Sequence, residues 1–401
     1  MNGLTTAVGL VLAAVLPALK TMPATTAKPE VAGRWNLTVG DPPHTHPSWL
    51  AVDAKGGKLV GRFLGRLGSV GDIGEVKFEK ATLKFNTRGH KWTGTLEGDI
   101  ITGTRTNDKG EQAKWVGKRS VRQIHLNGKW CLKIERESVA HLPVLTLTQQ
   151  GDTVAASLKT ADKTTELTGG RLVQDRLTFS DPGAPGELVR RTYWVKVEGD
   201  LLAGIIMEPR RRYPFKGYRQ REWGEPVKLF NGKDLDGWKP LDNPDNFHWK
   251  VIDGIMTNTG GRNAANIVSE REFRNFRIHL EFKVPEGGNS GVFLRGRHEI
   301  QIADSFGHDP SWHDCGALYS RIPPNLNAAR KHDQWQELDV TVIESYLTVI
   351  LNGQLIIDNE EMEGITGGAI DSRENEPGPI YLQGDHGQIS YRNITIWPAT
   401  E

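Results

Sequence analysis

Asn289-Ser290-Gly291-Val292-Phe293-Leu294-Arg295-Gly296 and, two residues on, Glu299-Ile300-Gln301-Ile302-Ala303-Asp304 carry the reading of the fold. Apolar residues fall at every second position, Val292 and Leu294 in the first run, Ile300 and Ile302 in the second. Period two belongs to a half-buried strand, because successive side chains leave it on opposite faces. The other face then collects Phe293, Arg295, Glu299 and Gln301.

Outward from this stretch the alternation continues. Ile278, Leu280, Phe282 and Val284 form one apolar set, followed by Leu338, Val340 and Val342, then Leu347, Val349 and Leu351, then Ile380 with Leu382 and Ile394 with Ile396. Asn352-Gly353 stands between two such runs as a hairpin turn. Beside Ile380 and Leu382, the residues Tyr381, Gln383 and Asp385 take the outward side. The pattern predicts two packed antiparallel sheets, a jelly-roll sandwich over residues 225–401.

The upstream half repeats itself. Gly33-Arg34-Trp35-Asn36-Leu37-Thr38-Val39 matches Gly128-Lys129-Trp130-Cys131-Leu132-Lys133-Ile134, and Leu96-Glu97-Gly98-Asp99 matches Val197-Glu198-Gly199-Asp200. Short alternating runs broken by Gly-Gly, Asn-Gly and Gly-Asp pairs predict antiparallel hairpins in two copies, residues 31–120 and 126–221. The Gly-x-Trp start resembles small lipocalin-like β units. Whether each copy closes its own barrel or both share a larger one stays open at this level. The fold class is all-β.

Composition excludes some functions. Lys and Arg number 50 against 49 Asp and Glu, for a net charge of +1. That balance gives no electrostatic reason to expect nucleic acid as a partner. Residues 8–19 form an apolar run of signal-peptide length, with small residues at Ala24 and Ala27, so residues 1–27 are expected to be a signal peptide and the protein periplasmic or secreted. The run is too short to span a bilayer comfortably, and no integral membrane segment is expected after its removal. Cys131 and Cys315 fall in different units and are read as thiols without a disulfide. His44 and His46, in Asp41-Pro42-Pro43-His44-Thr45-His46, lack a third ligand and have no counterpart in the second copy, so they are read as loop residues.

From Leu229-Phe230-Asn231-Gly232-Lys233-Asp234-Leu235-Asp236-Gly237-Trp238, through the two runs quoted first and Gly316-Ala317-Leu318-Tyr319, to Gly378-Pro379-Ile380-Tyr381-Leu382-Gln383-Gly384-Asp385-His386-Gly387, the ordered motifs resemble the 3-keto-disaccharide hydrolase family. The resemblance implies a concanavalin-like sandwich acting on sugars oxidised at carbon 3, with an oligosaccharide or glycoside as substrate.

A ketone at carbon 3 acidifies the proton at carbon 2, so that chemistry needs a base there, a stabiliser for the enolate oxygen and an acid for the leaving oxygen. Glu299, His386 and Asp304 are the acid and base candidates. Arg295 is assigned to the enolate, Gln301 and Gln383 to sugar hydroxyls, and Tyr319, Lys331 and Asp385 to substrate binding, with Arg330 at the rim. No cofactor is assigned. His298, His308 and His313 near Asp304, Asp309 and Asp314 leave room for a divalent metal, but without tight ligand spacing. Two rival readings remain. One is a non-catalytic carbohydrate-binding module. The other is an ordinary two-carboxylate glycosidase, which the Gln at 301 disfavours.

Overall fold

The computed structural model describes residues 30–135, 142–183 and 191–400. The expected signal peptide lies outside them. Apart from one short 3-10 turn, the elements described are strands.

Each N-terminal copy closes its own barrel, which settles the question the sequence left open. Eight strands from Gly33–Val39 to Gln112–Arg119 pair each with the next, and the last returns to the first. Eight more, from Gly128–Ile134 to Arg211–Arg219, do the same. The Gly-x-Trp motif explains one closed end in each. Trp35 is fully buried, its Nε1 donates to the Val31 carbonyl at 3.0 Å, and the Arg119 guanidinium lies 4.2 Å from the ring centroid. Trp130 donates to the Leu126 carbonyl at 3.1 Å and sits 4.4 Å beneath Arg219. An indole buries a large apolar area while its N–H keeps a partner, and the cation covers the ring face that would otherwise meet water.

The third unit is the expected sandwich. One sheet holds Trp249–Ile252, Ile255–Asn258, Ile389–Pro398, Phe276–Lys283, Gln336–Ile343, Tyr346–Leu351 and Gln354–Glu361 in that spatial order, with Val227–Lys228 added beside Ile389–Pro398. The other runs Trp238–Pro240, Ile267–Phe273, Gly378–Leu382, Asn289–Leu294 and His298–Ala303. Between them Ile278, Leu280, Phe282, Val292, Leu294, Ile300, Ile302, Leu338, Val340, Ile380 and Leu382 form the core.

The five-stranded sheet does not turn its back to solvent. Phe293 stacks on Tyr381 with ring centroids 4.1 Å apart, and Val268 and Ile370 join them in a second small apolar cluster. Residues 363–370 and the outer wall of the first barrel pack over this side. Trp49, Ala51 and Leu64 of the barrel meet Ile365 and Ala369 in a cluster of their own. Glu363 is paired with both Arg34 and Arg62 of the barrel, and Val70 N–H donates to Ser320 Oγ at 2.9 Å. Gly364 has φ +77°, and a Cβ there would stand 2.3 Å from the Trp49 indole nitrogen, so only glycine lets the loop lie against that ring.

Candidate active site

The cleft lies where these parts meet. Its floor is the outward face of the five-stranded sheet. Glu299 and Gln301 project from His298–Ala303, Asn289 from the neighbouring strand, and Tyr381 and Gln383 from Gly378–Leu382 and the residue just beyond it. Tyr319, Asp242, Asn266, Asp385 and His386 close the sides. The opposite wall belongs to the first barrel, with His46, Arg66 and Leu67. The enclosed volume is about 480 Å³, in the range of small-molecule sites.

Cross-strand register explains how Glu299 fits. It pairs with Phe293, and its carboxylate leans over Gly291, where a Cβ would come within 2.4 Å of Oε1. Any other residue at 291 would displace the acid. Burial raises the Glu299 carboxyl well above the usual range, and the nearby Asp385 charge adds to this. Both effects favour its protonated form. Asp385 in turn accepts from His386 Nδ1 at 2.7 Å, so that in the neutral form of that imidazole the lone pair lies on Nε2. The turn carrying the pair is held from below. Asn266 Oδ1 accepts from Gly384 N–H at 2.7 Å and its Nδ2 donates to Asp242 at 2.9 Å.

Two acceptors stand ready. Gln301 donates through Nε2 to the His313 carbonyl at 3.2 Å, but its buried Oε1 finds no hydrogen-bond partner among the described residues, and neither does Asn289 Oδ1. Buried acceptors without partners are costly and call for an explanation. Hydroxyl groups of a polyol bound in the cleft would supply the missing donors.

Of the residues singled out in the sequence, the fold brings Glu299, Gln301, Tyr319, Gln383, Asp385 and His386 into this one cleft. Others lie elsewhere. Arg295 is a correction: the strand stops at Leu294, Arg295 begins a tight turn at φ +53°, and alternation no longer governs its direction. It is buried, donates to the Glu344 carbonyl at 2.9 Å, and is pushed down to about 10 by that burial. Asp304 accepts from Gly287 N–H at 2.9 Å and caps a turn outside the cleft. Lys331 is exposed away from it, and Arg330 donates to the Trp335 carbonyl at 2.7 Å.

The histidine and aspartate cluster weighed for a metal also disperses: His308 faces Asp314 at 3.2 Å, His313 faces Ser69, and His298 is buried. Among the described residues no group of three His, Cys, Asp or Glu is placed to hold an ion. Cys131 and Cys315 are free thiols.

His46 is the reverse case, a residue read as loop that lines the cleft. Arg66, Leu67, Asn266, Asn289 and Asp242 were not anticipated at all. The missing counterpart of His46 in the second copy was the one available signal, since a departure from the repeat marks what the repeat alone does not need.

Residues 225–397 match the family model described as a 3-keto-alpha-glucoside-1,2-lyase-like domain. The C-terminal sandwich belongs to the 3-keto-disaccharide hydrolase family. A 3-keto-disaccharide hydrolase of Bacteroides thetaiotaomicron is 23% identical over 32% of this chain, and the match spans 55% of that relative's length. Two solved structures from Parabacteroides distasonis, each with a provisional glycosyl hydrolase assignment, are 22% and 28% identical. They cover 43% and 44% of this chain and 92% and 89% of their own, with TM-scores of 0.36 and 0.37.

Proposed function

We propose that the cleft cleaves the glycosidic bond of 3-keto-glycosides by elimination followed by hydration, in a protein exported through its apolar N-terminal run to the periplasm or beyond. One observation carries the reading: a buried carboxyl, whose burial favours its protonated form, shares the floor and side of one polar cleft of sugar size with an Asp–His pair. His386 Nε2 takes the proton from carbon 2, and the electron pair passes into the enolate at the carbon 3 oxygen. As the ketone re-forms, a double bond develops between carbons 1 and 2, the bond from carbon 1 to the leaving oxygen breaks, and Glu299 gives that oxygen its proton. Water then adds to carbon 1 while Glu299 recovers a proton from it and His386 returns one to carbon 2, so the sum is hydrolysis.

Arg295 is too far into the fold to meet the enolate. Arg66, from the first barrel, replaces it in the scheme as the cation lining the cleft. His46 beside it is kept neutral, because burial and the charges of Arg105 and Arg66 lower its pKa.

The test is to give the full-length protein a 3-keto-glucoside and its unoxidised parent. Release of the leaving group from the ketone alone is expected, and equal turnover of both would defeat the proposal in favour of an ordinary glycosidase. No turnover of either, with binding retained, would favour a carbohydrate-binding module. Glu299→Gln should lower kcat about 10³-fold for an alcohol leaving group, and far less for nitrophenolate, which departs without an acid. The acid works only while protonated, so on this group's account the rate is held beyond the usual carboxylate range and falls as pH rises through its elevated pKa.

A further inference from the structure

A second cavity, of about 680 Å³, opens at the end of the first barrel remote from Trp35 and shares His46 and Arg66 with the cleft. Arg66, Arg88 and Arg105 line it, and none of the three makes an ion pair among the described residues. Asp72 is the one carboxylate in its wall. Its inner part is aromatic: Phe63 and Trp92 stand with ring centroids 5.0 Å apart, and Arg105 lies 5.8 Å from the Trp92 centroid.

A barrel does not need this arrangement, as the second copy shows. Counting from the Gly-Asp turns, Arg105 corresponds to Ile206 and, counting from the strand pairs, Phe63 corresponds to Leu158, and both counterparts are buried in the second barrel's core. Arg66 and Arg88 are exposed and Arg105 is half-buried, so water solvates them in part, but three guanidinium groups around one hollow with a single carboxylate give it a positive field. Such a hollow suits an anion. The planar fork of arginine matches a carboxylate, and the aromatic surface matches a flat or ring-shaped body.

We propose that the mouth of the first barrel binds a ring-bearing carboxylate, and that this is the leaving group of the glycoside whose keto sugar sits in the adjoining cleft. The second half of the statement rests on the function proposed above. The first half does not. The shared chemistry could come from a uronic acid or from an aromatic acid.

Calorimetry on the full-length protein, with glucuronate against glucose and benzoate against benzyl alcohol, tests the site without any turnover. Each acid should bind at least tenfold more tightly than its neutral partner, with the tighter acid naming the source, and the preference should weaken at high salt. Arg105→Ile, which copies the second barrel, and Arg88→Ala should each reduce acid affinity at least fivefold, while Glu299→Gln leaves it intact. Acids and neutral partners binding alike, inorganic sulfate competing as well as the ring acids, or an Arg105→Ile protein with unchanged melting and unchanged acid affinity would each overturn the proposal.

A 3-keto-glucoside of a uronic or aromatic acid should also show a higher kcat/KM than a neutral one, and Arg105→Ile should collapse that ratio. Binding without turnover of any ketone would remove the reading of the cleft and leave the site standing. Turnover of ketones with no acid preference would remove this inference alone.

Discussion

The two barrels share one sequence pattern and differ at one end and along the outer wall. Their closed ends are near copies, with an arginine over a buried tryptophan in each. Inside, the second is filled: Leu158, Leu167, Leu177, Phe179, Tyr193, Ile206 and Phe215 are all buried, with Phe179 stacked on Tyr193 at 4.7 Å. The first keeps charged residues at its open end and lends its outer wall to the sandwich. Folding needs only the shared features, so the differences point to what the first copy does beyond folding. A duplicated unit thus serves as an internal control for its twin.

That control can be challenged, beginning with the seam. Trp49→Ala removes a fully buried ring from the cluster joining the first barrel to residues 363–370, and should cost about 3–5 kcal/mol in denaturant unfolding. At the second barrel's seam, Asn359 donates to the Glu198 carbonyl at 3.2 Å. Asn359→Ala should cost only about 1 kcal/mol there. Similar losses at both sites would mean that the two barrels are docked alike.

Next comes charge in the cleft. Arg66→Ala should lower kcat on a 3-keto-glucoside about 10²-fold, close to 3 kcal/mol of barrel-supplied stabilisation. Lys159→Ala, on an exposed position of the second barrel, should leave it within twofold. The smallest effect concerns what the copies share. Arg119→Ala and Arg219→Ala should each destabilise by about 1 kcal/mol, and equally. Unequal melting shifts would show that the closed ends are less alike than their geometry suggests.

Strand identity was legible because alternation is local: the core faces of Val292, Leu294, Ile300, Ile302, Ile380 and Leu382 follow from period two alone. So does the outward direction of Glu299 and Gln301, while Gln383, one residue past its strand, kept the direction because the chain there stays extended enough to reach the cleft. Arg295 failed for an equally local reason, since the chain turns there at φ +53° just past the end of its strand. Asp304 took the turn-capping role that carboxylates at strand ends often take.

Arg66 was beyond reach, because nothing along the chain says which loop of one domain will lie over which sheet of another. The large separation in sequence between Arg66 and Glu299 is bridged by contacts such as Trp49 on Gly364, which depend on shape and leave no periodic trace.

Glycine at 364 lets two independently closed units touch ring to backbone, and the wall that His46 and Arg66 lend to the cleft stands where that contact puts it. A side chain at this one position would therefore act at a distance, shifting the barrel's cation relative to an acid it never touches.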